Sequence, residues 1–124
     1  MAAKKIIAID DDAVLLRIIE NILIKHEFEV SLYKNPEDGL KAIKQKQPDA
    51  VLLDRIMPEM DGNDVLHQLQ QDDYTRDIPV MMVTGRKELV EIHQSFGLGA
   101  RDYIIKPFEE DDLILRLNKL MNTI

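Results

Sequence analysis

Five short apolar runs, at 5–9, 29–33, 50–53, 80–83 and 103–105, are spaced along the chain with helix-like segments between them. The runs are near-continuous rather than alternating, the pattern of strands buried on both faces of a parallel sheet. Between the first two, Val14, Leu15, Ile18, Ile19, Ile22 and Leu23 recur at steps of four and predict a helix with these residues on one buried stripe. Asn35-Pro36-Glu37-Asp38 reads as a helix start, with Asn as the cap, Pro at the first position and acids in the first turn. Further helices are expected over 62–71, 87–96 and 111–121, the last with Leu113, Leu117, Leu120 and Ile124 on one face. Strand–helix alternation repeated five times predicts an α/β doubly wound sheet with right-handed crossovers. Five strands in so short a chain favour the flavodoxin-like order 2-1-3-4-5. In such a sheet a ligand binds beyond the carboxyl ends of the strands, at the switch point between strands one and three.

Carboxylates gather at that edge. The first strand runs into Asp10-Asp11-Asp12 and the third into Asp54, while the fourth ends in Thr84-Gly85 and the fifth in Lys106-Pro107. Clustered carboxylates repel one another unless a proton or a cation relieves them. Hydrated Mg²⁺ suits one or two carboxylates together with a phosphoryl oxygen. A carboxylate beside a divalent ion can attack a phosphoryl donor, and a Thr hydroxyl and a Lys ammonium can then spread the charge of the phosphoryl oxygens. Each residue also has a plainer use. Asp12 is equally suited to capping the next helix, and a lone Lys after a strand is commonly a solvated charge. A cap at Asp54 is disfavoured, because Met57-Pro58 interrupts any helix there. His26, His67 and His93 share no ligand spacing.

Composition narrows the picture. A chain of 124 residues is one domain, 1–124, able to bury about two-thirds of its unfolded surface. With no Cys, disulfides, thiolate zinc sites and a cysteine nucleophile are excluded. Sixteen basic against 23 acidic residues leave a net charge of −7, and no basic run, so neither nucleic acid nor an anionic membrane is an expected partner. No stretch reaches the ~18 apolar residues of a membrane span, and Asp10 to Asp12 cut the first apolar run short of a signal-peptide core. A cytoplasmic location is expected.

With these residues in place, the sequence resembles the response-regulator receiver domain of two-component signalling. The likeness rests on Asp10-Asp11 after strand one, Asp54 in an Asp-x-x-Met-Pro motif followed by Gly62, Thr84 after strand four, and Lys106-Pro107 after strand five. The thirty positions from Asp54 to Thr84 and the twenty-two from Thr84 to Lys106 agree with it, over essentially the whole chain. The resemblance implies that Asp54 is the phosphoacceptor. It makes Asp11 a direct Mg²⁺ ligand, Asp10 a ligand directly or through water, and the Ile56 backbone carbonyl a further one. Thr84 would bind the phosphoryl group, Lys106 would pair with the carboxylate and then the phosphate, and Tyr103 would be the switch aromatic that turns inward as Thr84 moves. It implies a cis peptide at Lys106-Pro107. The donor would be a histidine kinase or a phosphotransfer protein, the chain being a phosphoacceptor that assists its own phosphorylation and dephosphorylation rather than an enzyme. Gly85 departs from the usual alanine but stays small, which predicts free access to the phosphate. The polar stretch 72–77 resembles the family's variable region. The chain is either a stand-alone receiver or part of a longer regulator.

A competing likeness is to the aspartate-dependent phosphatases of the haloacid-dehalogenase superfamily, with Asp10 as nucleophile and Asp12 as general acid. It leaves the Asp54-Arg55-Ile56-Met57-Pro58 segment without a role. A degenerate receiver serving only to bind proteins is opposed by the complete acidic, Thr and Lys set. On the last helix, Leu115 falls opposite the core face and is expected to be exposed. Asp102 and Arg116 stand where many transcription-factor receivers carry an intermolecular salt bridge, which implies a weak, phosphorylation-dependent homodimer. The match is partial, since Ile92 occupies a position where those receivers often carry a basic residue.

Overall fold

A computed structural model describes residues 3–85, 88 and 92–122. Strand β1 (Lys5–Ile9) leads into α1 (Ala13–Lys25), then β2 (Glu29–Tyr33), α2 (Pro36–Lys46), β3 (Ala50–Asp54) and α3 (Gly62–Gln71). Strand β4 (Val80–Thr84), α4 (Ile92–Gly97), β5 (Asp102–Ile105) and α5 (Glu110–Met121) complete the order. All pairings are parallel and the sheet order is β2-β1-β3-β4-β5, as the alternation predicts.

The sheet divides the core into two apolar layers. Ile6 and Ala8 of β1 face one way, onto Leu16, Ile19 and Leu23 of α1 and Leu113, Leu117 and Leu120 of α5. Ile7 and Ile9 face the other way, onto Ala42 and Ile43 of α2 and Val65, Leu66 and Leu69 of α3. Of the three interior strands, β3 and β4 are buried throughout, which is why their sequences read as unbroken apolar runs. The predicted caps form: Asn35 Oδ1 accepts from the Asp38 amide at 2.9 Å, and Asp12 Oδ1 accepts from the amides of Val14 and Leu15. The Lys106–Pro107 peptide is cis.

One expectation is corrected. Val14 and Ile18 are exposed, at 71% and 46%, and Leu16 takes the buried stripe with Ile19 and Leu23. Helix α1 is apolar around more than half its circumference, so step-four spacing admits two overlapping stripes, and packing against β1 and α5 selects one of them. Asp54 and Thr84 are the last residues of their strands, as expected. Of the helix expected over 87–96, the described part is Ile92–Gly97; residues 87 and 89–91 lie outside the described residues, as does Ile124. Leu115 is exposed, at 67%, as expected. Among the described residues no helix is long and apolar enough to cross a membrane.

Candidate functional site

Register brings the chemistry together. Ile9 pairs with Leu53 and Asp54 with Val83, so Asp10 and Asp54 emerge side by side at the carboxyl edge of adjacent strands. Thr84 pairs with Ile105, and the Lys106 amide donates to the Thr84 carbonyl at 2.8 Å, which fixes Lys106 at the same edge. Its ammonium reaches across to both acids, 2.9 Å from Asp54 Oδ1 and 3.2 Å from Asp10 Oδ2. Oxygen atoms of Asp10, Asp11 and Asp54 lie within 4.8 Å of one another, with Asp11 the exposed member. They line an open cleft of about 330 Å³.

Asp10 and Asp54 are only 2% and 5% exposed. Burial, more than anything else, pushes the Asp54 carboxyl up to about 6; the Lys106 hydrogen bond pulls it down and the Asp10 charge pushes it up again. Asp10 is also raised, by burial first, against the lowering effects of the Asp12 amide and Lys106. Burial works on Lys106 in the opposite direction, but the hydrogen bond to Asp54 and the charge of Asp10 outweigh it and raise its pKa. Two buried carboxylates therefore share one ammonium, with the exposed Asp11 carboxylate close by. Asp10 Oδ1 accepts from the Asp12 amide at 2.9 Å, whereas the enclosed Oδ2 accepts no hydrogen bond and has only its ionic contact with Lys106. An orphaned buried oxygen among hard oxygen donors fits a small divalent cation such as Mg²⁺. Ile56 lines the same cleft.

The other residues singled out from the sequence lie outside this carboxylate cluster. Thr84 is fully buried, its hydroxyl donating a long 3.4 Å bond to the Gly85 carbonyl, and it is Gly85 that lines the cleft. The space beside Gly85 is taken by the Glu88 carboxylate, 2.7 Å from where a Cβ on residue 85 would stand. Asp12 uses one carboxylate oxygen on the α1 cap and lies outside the Asp10–Asp11–Asp54 cluster, while still lining the cleft. Tyr103 is half-buried, edge-on to Phe96 with ring centres 6.1 Å apart, and the Arg116 guanidinium lies 5.5 Å from its ring. Arg116 also bonds Asp102 at 3.1 Å, Asp112 at 3.0 Å and the Tyr103 carbonyl at 2.9 Å. The Asp102–Arg116 pair forms within the chain, where β5 and α5 hold the partners side by side.

Two participants escaped the sequence reading. Arg55 lines the cleft, is 7% exposed, and pairs with Asp61; nothing local distinguishes a buried Arg from a solvated one. Glu88 also lines the cleft, and its spacing to Asp54 carries no periodic signal. Gly62, by contrast, sat within the motif, and its reason is now visible. A Cβ there would meet the Asp54 carbonyl oxygen at 2.3 Å and Arg55 Cα at 3.0 Å, so only glycine lets α3 start this close to β3.

The sequence model of the response regulator receiver domain matches residues 6–118. The chain is 32% identical over 124 residues, 100% of its length, to the probable transcriptional regulator ycf27 of Porphyridium aerugineum, of which it covers 50%. It thus spans about half the length of such curated relatives. Its structure is similar to that of a putative response regulator from Chloroflexus aurantiacus, with a TM-score of 0.94 and 27% identity, covering 98% of this chain and 100% of that one. The fold also matches, at a TM-score of 0.90 and 22% identity, the receiver domain of sensor histidine kinase PA1611 from Pseudomonas aeruginosa, solved with magnesium coordinated in its active-site cleft. That match covers 98% of this chain and 100% of that one.

Proposed function

The chain belongs to the response regulator receiver family, and from that footing we propose that it is switched by a phosphoryl group transferred to the Asp54 carboxylate from a histidine kinase or phosphotransfer protein. The observation that carries this reading is the Lys106 ammonium bridging Asp54 and Asp10 at the carboxyl edge of the sheet. Lys106 occupies Asp54 Oδ1, so the other oxygen is the one to attack phosphorus. The new O–P bond forms as the P–N bond of a phosphohistidine breaks, and the imidazole leaves with that electron pair. Lys106 then transfers its hydrogen bond from the carboxylate to a phosphoryl oxygen.

Asp10, Asp11, Asp54 and the Ile56 carbonyl would hold Mg²⁺, which when bound offsets the crowded carboxylate charge and that of the incoming phosphoryl oxygens. The Thr84 hydroxyl would leave the Gly85 carbonyl for the phosphate, and Glu88 would swing away from Gly85. Space opened by Thr84 would receive the Tyr103 ring, changing the face formed by α4, β5 and α5. Because the acceptor is consumed once per transfer, the chain acts stoichiometrically rather than as an enzyme with a separate substrate. A protein donor is supported by exposed apolar side chains near the cleft: Val14 lies in the first turn of α1, just after the acidic loop, Ile18 follows one turn on, and Ile56 lines the cleft. Exposed Leu115 supports weak self-association of the activated form in the cytoplasm.

The test is intact mass after incubation with Mg²⁺ and a small phosphodonor. One phosphoryl group per chain is expected, mapped to Asp54, lost in Asp54→Asn and lost on chelation. A label on Asp10, with repeated turnover of a phosphate ester, would overturn the reading.

A further inference from the structure

Arg55 puts a charge in a place that could have been filled by an apolar side chain. It directly follows Asp54, lines the cleft, and is almost wholly buried. Burying a guanidinium costs free energy unless it is paired and hydrogen-bonded, so its geometry is held by specific partners. Those partners close the loop between β3 and α3 twice over. The side chain of Arg55 pairs with that of Asp61, and the Arg55 carbonyl accepts from the Gly62 amide at 2.8 Å. Ile56 lies inside the loop so closed.

The contact does not stop at Asp61. While Oδ2 of Asp61 serves Arg55, Oδ1 accepts from the Asn63 amide at 2.8 Å and caps α3. Asn63 Oδ1 in turn accepts from the Ser95 hydroxyl at 2.6 Å, and Ser95 is fully buried in α4. A polar chain thus runs from the residue beside Asp54, through the first turn of α3, into α4. It shares no residue with Thr84 or Tyr103.

We propose that Arg55 and Asp61 are positioning residues that set the loop carrying Ile56 for the cation, and that the Asn63–Ser95 hydrogen bond makes the state of that loop felt at α4. This rests on the reading of Asp10, Asp11 and Asp54 as the Mg²⁺ site. Groups that orient metal ligands without touching the metal typically alter affinity 10–100-fold when removed. The guanidinium fork is not interchangeable with an ammonium, so a lysine mends the loop only in part.

The experiment is a Mg²⁺ titration of the whole chain, read by backbone amide shifts, with wild type, Arg55→Met, Arg55→Lys and Ser95→Ala compared. Arg55→Met replaces a buried charge with an apolar side chain and leaves Asp61 largely solvated, a change that folds tolerate. Its Mg²⁺ affinity is expected to fall roughly tenfold, with Arg55→Lys between it and wild type. Ser95→Ala is expected to bind Mg²⁺ as wild type does, but with much smaller Mg²⁺-induced shifts at residues 92–97. Wild-type affinity in Arg55→Met overturns the positioning role. So does a loss that Arg55→Lys leaves unmended while the melting temperature falls in step. Undiminished shifts in α4 of Ser95→Ala overturn the relay. Absence of Mg²⁺ shifts at residues 10–12 and 54 in wild type overturns instead the metal reading beneath the proposal.

Discussion

Asp54 carries a charge that its surroundings oppose. Its pKa of about 6 in the folded chain stands above the 3.8 of an ordinary aspartate, because burial disfavours the carboxylate more than Lys106 favours it. The folded state then holds the proton more tightly than the unfolded chain. The site's contribution to stability is complete below about pH 4 and is lost as pH rises through about 6. At neutral pH without a cation, the carboxylate works against the fold. Asp54→Asn is therefore expected to raise stability at pH 7 by about 1–3 kcal/mol, with the gain shrinking toward pH 4, as urea denaturation across that range will read. In wild type, a carboxyl resonance of Asp54 followed by carbon NMR should titrate near 6 and move lower on adding Mg²⁺, since a nearby cation favours the charged form.

At the scale of elements, the start of α3 and the seating of α5 against β5 each depend on one residue. Gly62→Ala would drive a methyl group into the Asp54 carbonyl, a backbone atom that can move only by distorting the phosphoacceptor loop. A loss of about 1–3 kcal/mol is expected in thermal unfolding, together with weaker Mg²⁺ binding. Gly39→Ala is the instructive contrast. Its Cβ would meet Ile9 Cδ1 at 2.4 Å, the far end of a side chain, and the gain of about 0.5–1 kcal/mol from alanine in a helix offsets part of the cost. Arg116 ties α5 to β5 through Asp102 and the Tyr103 carbonyl, and all of these contacts are internal. Half-exposed ion pairs are each worth only about 0–1 kcal/mol. Arg116→Met is accordingly expected to lower stability by about 1 kcal/mol and to broaden the Tyr103 ring resonances. Self-association of the Mg²⁺–beryllofluoride form, followed by sedimentation, should respond to Leu115→Ser and not to loss of Arg116.

For the whole molecule, switching requires the cleft and the α4–β5–α5 face to move together. Thr84→Ala is expected to accept phosphate while losing most of the amide-shift response at residues 102–105, because the hydroxyl that leaves the Gly85 carbonyl is gone. Response of α4 in that variant would isolate the Arg55–Asp61–Asn63–Ser95 connection from the Thr84–Tyr103 one. Strand order, the α2 start at Asn35-Pro36 and the convergence of Asp10, Asp54 and Lys106 were legible along the chain. Apolar periodicity and cap chemistry act locally, and an α/β sheet sends the ends of parallel strands to one edge whatever the details. Long-range contacts decided the rest. Which stripe of α1 is buried depends on α5 and β1 meeting it, and sequence spacing alone admitted both. The burial of Arg55, the Glu88 carboxylate beside Gly85 and the inward closure of Arg116 depend on distances between segments far apart in sequence or around a loop. A charged residue reads the same in sequence whether solvated or enclosed; its environment exists only once the chain has folded around it.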